Sequence, residues 1–193
     1  MLNKKISLII WIVAICTVLT AAYVFYSKNK QQGLVISPPQ NNTTTESDKT
    51  DNKSVPDFSL KDLDGNTVRL SDYKGKIVIL NFWTVWCKYC KIEMPDLNEL
   101  NKELEKDGEA VILAVDVQES ADKVKDYISS NNIDLKVLMD HDGSVTQKYG
   151  VSGFPTTFII NKDGTLYTYI PGATDKKTLT EILNKIKQEA SAQ

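Results

Sequence analysis

The sequence holds one histidine, three cysteines and no second pair of closely spaced cysteines. Structural zinc as a rule takes four ligands, so Cys87 and Cys90 with the lone His141 leave such a site unfilled, and no metal is expected. His141 lies among polar residues (Asp140-His141-Asp142-Gly143) and reads as a solvated loop histidine. Lys91, not histidine, follows Cys90, which excludes covalent haem attachment of the Cys-x-x-Cys-His kind. A formal net charge of −2 over 193 residues gives no basic footprint, so no DNA or RNA partner is expected. With 41% hydrophobic and 25% charged residues, the chain has the composition of one ordinary globular domain plus appendages.

What is present divides into three segments. A short basic start with Lys4 and Lys5 precedes residues 6–26, which carry no charged side chain. A helix of that length, at ~1.5 Å per residue, runs roughly 31 Å and spans a bilayer's hydrocarbon core, so residues 1–28 are expected to be an N-terminal transmembrane anchor. A cleaved signal peptide is the rival, but its apolar core is usually only about 7–15 residues and Thr20-Ala21-Ala22 is a poor cleavage site inside the apolar run. Cys16 raises lipidation, yet Ile15 stands where a small residue is expected, and an apolar residue in the membrane is the simpler reading. Lys4 and Lys5 before the span nearly balance Lys28 and Lys30 after it, so charge barely decides orientation. Residues 29–54 are polar and lack periodic apolar positions, the pattern of a flexible linker. Residues 55–193 remain for the domain.

The chemistry centres on Cys87 and Cys90. They follow the apolar, β-branched run Ile77–Trp83, which suits a strand buried on both faces, and so would sit at a strand's end and in a helix's first turn. Free N–H groups and the positive dipole end there favour a thiolate, so Cys87 should ionise below a free thiol's pKa of about 8.5. Cys90, one turn further in, should be more buried. Cys87 would attack a partner's disulfide and Cys90 would resolve the mixed disulfide. A static structural disulfide is the alternative, although so short a loop gains little entropically. Glu93 falls three residues after Cys90 on about the same helix face, and a partly buried glutamate of raised pKa could take the proton that Cys90 must lose. An exposed helix glutamate is the other reading. Lys88 could stabilise the thiolate or extend into solvent.

The rest of the domain alternates strands and helices. Asp64-Gly65-Asn66 turns an N-terminal hairpin between two short strand-like pieces of residues 55–70. Leu97, Leu100 and Leu104 recur at helical spacing after the cysteines, with Pro95 expected to kink that helix. Strands are expected at residues 109–117, 135–139 and 166–170, a helix at 120–130, and a closing helix carrying Leu179, Ile182, Leu183 and Ile186. Pro155 immediately precedes an apolar strand, where a missing N–H is tolerated.

Phe82-Trp83-x-x-Trp86-Cys87-x-x-Cys90, with Glu93 and Pro95 after it and Gly153-Phe154-Pro155-Thr156-Thr157 downstream, resembles the thioredoxin superfamily. Within it the chain is most similar to the ResA/TlpA-like group of membrane-anchored thiol-disulfide oxidoreductases, with a redoxin (AhpC/TSA-type) domain, from about Val55 to the C-terminus. The resemblance implies an α/β thioredoxin-like fold: a central mixed sheet flanked by helices, an N-terminal β-hairpin and an inserted βα unit, the last because 65 residues separate Cys90 from Pro155. It implies a cis Pro155 lying against the cysteines, with the preceding residue's main chain pairing with an extended substrate segment. Trp86, Lys88, Tyr89, Phe154 and Pro155 then become substrate-binding residues. Phe154 departs from the smaller or aliphatic residues usual there and suggests an aromatic lip. Proton handling falls to Glu93, since Asn81 stands where many thioredoxins hold a buried, titrating Asp. The resemblance further implies no organic cofactor, disulfide-containing protein substrates, a membrane thiol carrier of the CcdA/DsbD type as electron donor, a monomer, and a single-pass cell-membrane location with the domain extracytoplasmic. The lack of a spare cysteine in the domain agrees with an oxidising compartment.

The leading function is thus a membrane-tethered disulfide reductase, with apocytochrome c, spore-envelope proteins or a methionine sulfoxide reductase as substrates. A thiol peroxidase of peroxiredoxin type is the first alternative. Thr84-x-x-Cys87 fits its pattern, but Leu80 replaces the expected proline, Trp86 is large for its place and Cys90 is oddly close for a resolving thiol. A non-enzymatic peptide-binding holdase is the second, and it leaves the thiols without a role. Lys88-Tyr89 between the cysteines does not fix the redox direction.

Overall fold

A computed structural model describes Leu19, Thr20 and residues 54–191. No helix among these is long and apolar enough to cross a membrane; apart from Leu19 and Thr20 the expected anchor at residues 1–28, and all of the expected linker but Ser54, lie outside the described residues.

The domain is a seven-stranded mixed sheet in the order β2-β1-β5-β4-β3-β6-β7. β1 (Ser59–Asp62) and β2 (Thr67–Arg69) form the expected antiparallel hairpin. Its turn is built by the Asp62 carboxylate, which accepts from the N–H groups of Asp64 (3.0 Å) and Asn66 (2.8 Å), and by Gly65 at φ 85°, a left-handed conformation open to glycine. A 3-10 turn at Leu70–Tyr73 leads into β3 (Ile77–Trp83), every residue of which is buried. β3 lies parallel to β4 (Ala110–Val117), which lies parallel to β5 (Lys136–Asp140). β6 (Thr156–Ile160) runs antiparallel to β3, and β7 (Leu166–Pro171) antiparallel to β6. The hairpin docks through β1 antiparallel to β5. Two βα units therefore separate Cys90 from Pro155, in keeping with the expected insertion.

α1 (Lys88–Asp107) runs helically through Pro95 and ends at Gly108, whose left-handed φ of 70° lets its N–H return to the Leu104 carbonyl at 2.8 Å. α2 (Ala121–Ser130) is capped by the Ser120 hydroxyl, and α4 (Lys176–Ser191) closes the chain. The short α3 (Ser144–Lys148) and the 3-10 turn carry no recognisable period and were not expected. Alternation along the strands makes two cores. One face packs Ile77, Ile79, Trp83, Ile112 and Ala114 against Leu97, Leu100 and Leu104 of α1, Val124 of α2 and Leu179, Leu183 and Ile186 of α4. The other packs Val78, Leu80, Phe82, Leu113 and Val115 against Phe58, Val68, Leu70 and Val145. The domain's first described residues join the turn between β6 and β7: Ser54 bridges Thr165, and Val55 N–H donates to the Gly164 carbonyl at 3.0 Å.

Candidate active site

β3 ends at Trp83, and the chain turns through Thr84–Trp86 into α1. Cys87 is not inside the first turn but is its N-cap: its sulfur accepts the Cys90 N–H at 3.1 Å, and its own N–H donates to the Thr84 carbonyl at 3.3 Å. No acidic residue occupies the first turn of α1, so the dipole's positive end acts on that sulfur unopposed by the helix itself. The two cysteines are joined by a disulfide with Cα atoms 5.3 Å apart. Cys90 is fully buried and Cys87 retains 5% exposure, the order expected from the spacing.

Glu93 is also buried, at 1% exposure. Asn81 on β3 donates from Nδ2 to its Oε1 at 2.8 Å, and the Thr174 N–H donates to its Oε2 at 2.9 Å. Burial pushes the Glu93 carboxyl up to about 7, with the Thr174 and Asn81 hydrogen bonds working against it. Asn81 Nδ2 also donates to Thr157 Oγ1 at 3.0 Å, tying α1, β3 and β6 together beneath the cysteines. The exposed-glutamate reading is thereby excluded.

Around this pair the surface is apolar and cationic. Trp86 in the loop before α1 and Tyr89 and Ile92 in its first turns are 67%, 62% and 59% exposed, and Lys88 and Lys91 stand exposed between them in the sequence. Trp86 meets half-buried Phe154 edge-on, ring centroids 6.1 Å apart. The Phe154-Pro155 peptide bond is cis, as the resemblance implied, and Pro155 is buried with its carbonyl accepting the Gly172 N–H at 2.9 Å. Lys91 Nζ lies 5.7 Å from the centre of the Tyr127 ring, which in turn packs on Trp83.

Three contributors escaped the sequence. Ile92 extends the exposed patch, and Thr174 reaches Glu93 across 81 residues. Glu119, in the loop after β4, accepts the Val85 N–H with Oε2 and the Lys123 ammonium with Oε1, and so fastens the loop that carries Trp86 and Cys87. No residue pattern announces a contact spanning 34 positions. His141 is exposed, with Nδ1 3.2 Å from the Glu119 carbonyl oxygen. Among the described residues no three His, Cys, Asp or Glu side chains are gathered as a metal would need.

A family model described as the AhpC/TSA family matches residues 52–169. A thiol-disulfide oxidoreductase ResA of Bacillus thuringiensis is 40% identical over 134 residues, 69% of this chain and 77% of that protein. The ResA of Bacillus subtilis is 36% identical over 138 residues, 72% of this chain and 76% of its own length. Among solved structures, the exposed lipoprotein thioredoxin Etrx1 of Streptococcus pneumoniae is similar with TM-score 0.60 and 37% identity, covering 69% of this chain and 99% of that one. StoA of Bacillus subtilis is similar with TM-score 0.58 and 26% identity over 65% of this chain and 95% of its own.

Proposed function

Because the chain belongs to the AhpC/TSA family, and within it to the ResA-like thiol-disulfide oxidoreductases, we propose that it is a membrane-tethered, extracytoplasmic reductase of protein disulfides working through Cys87 and Cys90. The observation that carries the assignment of roles is the Cys90 N–H directed at the Cys87 sulfur at the mouth of α1, with Glu93 buried one turn beyond Cys90. In the reduced protein the Cys87 thiolate attacks one sulfur of the substrate disulfide, and the other leaves as a thiolate that takes a proton. Cys90 then loses its proton to Glu93 and attacks the Cys87 sulfur, which expels the second substrate thiol and closes the Cys87–Cys90 bond. Two electrons pass from the dithiol to the substrate. A membrane thiol carrier of the CcdA/DsbD type restores the dithiol.

The substrate is an extended segment laid across Trp86, Lys88, Tyr89, Phe154 and Pro155. The main-chain N–H and C=O of Phe154 enter no hydrogen bond among the described residues, which leaves them free to pair with a strand-like guest. Maturation of c-type cytochromes, a spore-envelope pathway or repair of oxidised methionine supplies substrates of this class.

Cys90→Ser in the full chain should accumulate a mixed disulfide between Cys87 and substrate protein, and Cys87→Ser should form none and reduce no insulin. Turnover by Cys87→Ser sinks the assignment of the nucleophile. Equilibration with a dithiothreitol or glutathione buffer tests the direction: a potential near about −270 mV fits a reductase and one near about −120 mV an oxidase. Peroxide consumption at rates rivalling disulfide exchange would favour the peroxidase reading instead.

A further inference from the structure

Asp116 is fully buried near the carboxyl end of β4, beside Trp83 in the parallel register and on the sheet face that holds the cysteines. Neither of its carboxylate oxygens meets a well-placed donor among the described residues, and its side-chain neighbour is another acid, Glu119; Trp83 Nε1 and Thr84 Oγ1 at the adjoining end of β3 are likewise without a partner there. A charged carboxylate in that position would be desolvated with little beyond the Lys123 ammonium and the Glu119 main chain to offset the cost. Three residues on, Glu119 is nearly buried yet well partnered, holding Val85 N–H and Lys123. The thiol chemistry described above uses neither acid.

We infer that Asp116 and Glu119 act as a one-proton pair that positions the active-site loop, Asp116 carrying the proton and Glu119 the charge that grips Val85. This rests on the reading of Cys87 as the nucleophile only in so far as the loop carries that residue. Burial pushes the Asp116 carboxyl well up, and the Glu119 carboxylate adds to the effect. Burial acts on Glu119 too, but the Lys123 ammonium and the Val85 N–H outweigh it and hold Glu119 below the usual range. The other charged groups nearby are otherwise engaged. Lys91 of α1 faces Tyr127 of α2, and Asp140 of β5 accepts from the N–H of Val145 and Thr146 in α3. His141 meets only the Glu119 main-chain oxygen, and Glu93 is held by Asn81 and Thr174. Among the described residues Lys123 is thus the one cation that engages the pair. When Asp116 ionises, two carboxylates face one ammonium, and the grip on the loop changes.

Asp116→Asn and Glu119→Gln in the full chain test this by two readouts, thermal unfolding of the oxidised protein against pH and the rate of Cys87 alkylation by iodoacetamide in the reduced protein against pH. An acid kept neutral by the fold costs stability as soon as the unfolded chain can ionise it, so Asp116→Asn should match the parent's Tm at pH 4 and exceed it by about 5 °C at pH 8. The alkylation profile of the parent should carry an inflection at neutral to alkaline pH that Asp116→Asn loses and Glu119→Gln moves to lower pH. Profiles that superimpose for parent and Asp116→Asn, or a Tm difference equal at pH 4 and pH 8, overturn the inference. If peptide mapping finds the label on Cys90 instead, the nucleophile is misassigned, while the Tm comparison still decides the fate of the pair.

Discussion

Glu93→Gln separates a buried, titrating carboxyl from a merely structural one. The folded protein holds Glu93 at about 7 against a usual 4.5, so between those values the native state keeps a proton that the unfolded chain has lost. Stability therefore falls as pH rises through that window and levels off above it. At about 1.4 kcal/mol per pH unit of difference, the loss attributable to Glu93 reaches roughly 3 kcal/mol by pH 8. Gln removes this dependence. It also sets an amide NH₂ or a lost acceptor against the Thr174 N–H, a pH-independent cost of about 1–3 kcal/mol. Urea unfolding of the oxidised parent and variant, with the cysteines unable to titrate, should show the variant less stable at pH 4.5 and gaining about 3 kcal/mol relative to the parent by pH 8. The same variant should slow release of the trapped mixed disulfide while leaving its formation nearly intact. Parallel stability curves from pH 4.5 to 8 would refute both the raised pKa and the proton-accepting role built on it.

Trp86→Ala should leave stability within about 0.5 kcal/mol, since the ring is largely exposed, but raise KM for a protein substrate about tenfold with kcat little changed. An equal rise in KM with insulin and with a small disulfide would show that the ring does not read the substrate segment. Asp62→Asn should act in the opposite pH sense to Glu93→Gln. The Lys136 ammonium and the Asn66 hydrogen bonds hold Asp62 down to about 2, so its contribution is present above 3.8 and disappears as pH falls through 2. Discounted for solvent around the half-exposed Lys136, the variant should lose about 1 kcal/mol at pH 6 and progressively less between pH 4 and 2, by urea unfolding. An undiminished difference at pH 2 would refute it.

The parts of the fold that could be read from the chain are those whose physics is local. β3 shows itself as an unbroken β-branched run because both faces are covered, and the leucines of α1 recur at helical spacing because one face is. The hairpin announces itself through Asp64-Gly65-Asn66. α3 is too short to display a period, and its residues are set by Asp140 reaching the N–H groups of Val145 and Thr146. In the site, Cys87 and Cys90 were legible because sulfur chemistry demands that spacing, and Glu93 because one helical turn carries it back to the cysteines. Asn81 was noticed only for what it cannot do, titrate; its donation to Glu93 depends on a strand and a helix meeting, which composition does not record. The Glu119 contact with Val85 is of the same kind, fixed by where β4 happens to end.

The bridge from Ser54 to Thr165 sets a polarity for the whole domain. β6 runs antiparallel to β3, so the β6–β7 turn lies at the end of the sheet where β3 begins, whereas the cysteines lie where β3 finishes. A chain arriving at Ser54 thus attaches at the pole remote from the sulfurs. Changes at Ser54 or Thr165 should therefore disturb the strand pairing at that pole and leave the sulfur-bearing cap at the opposite one unaltered.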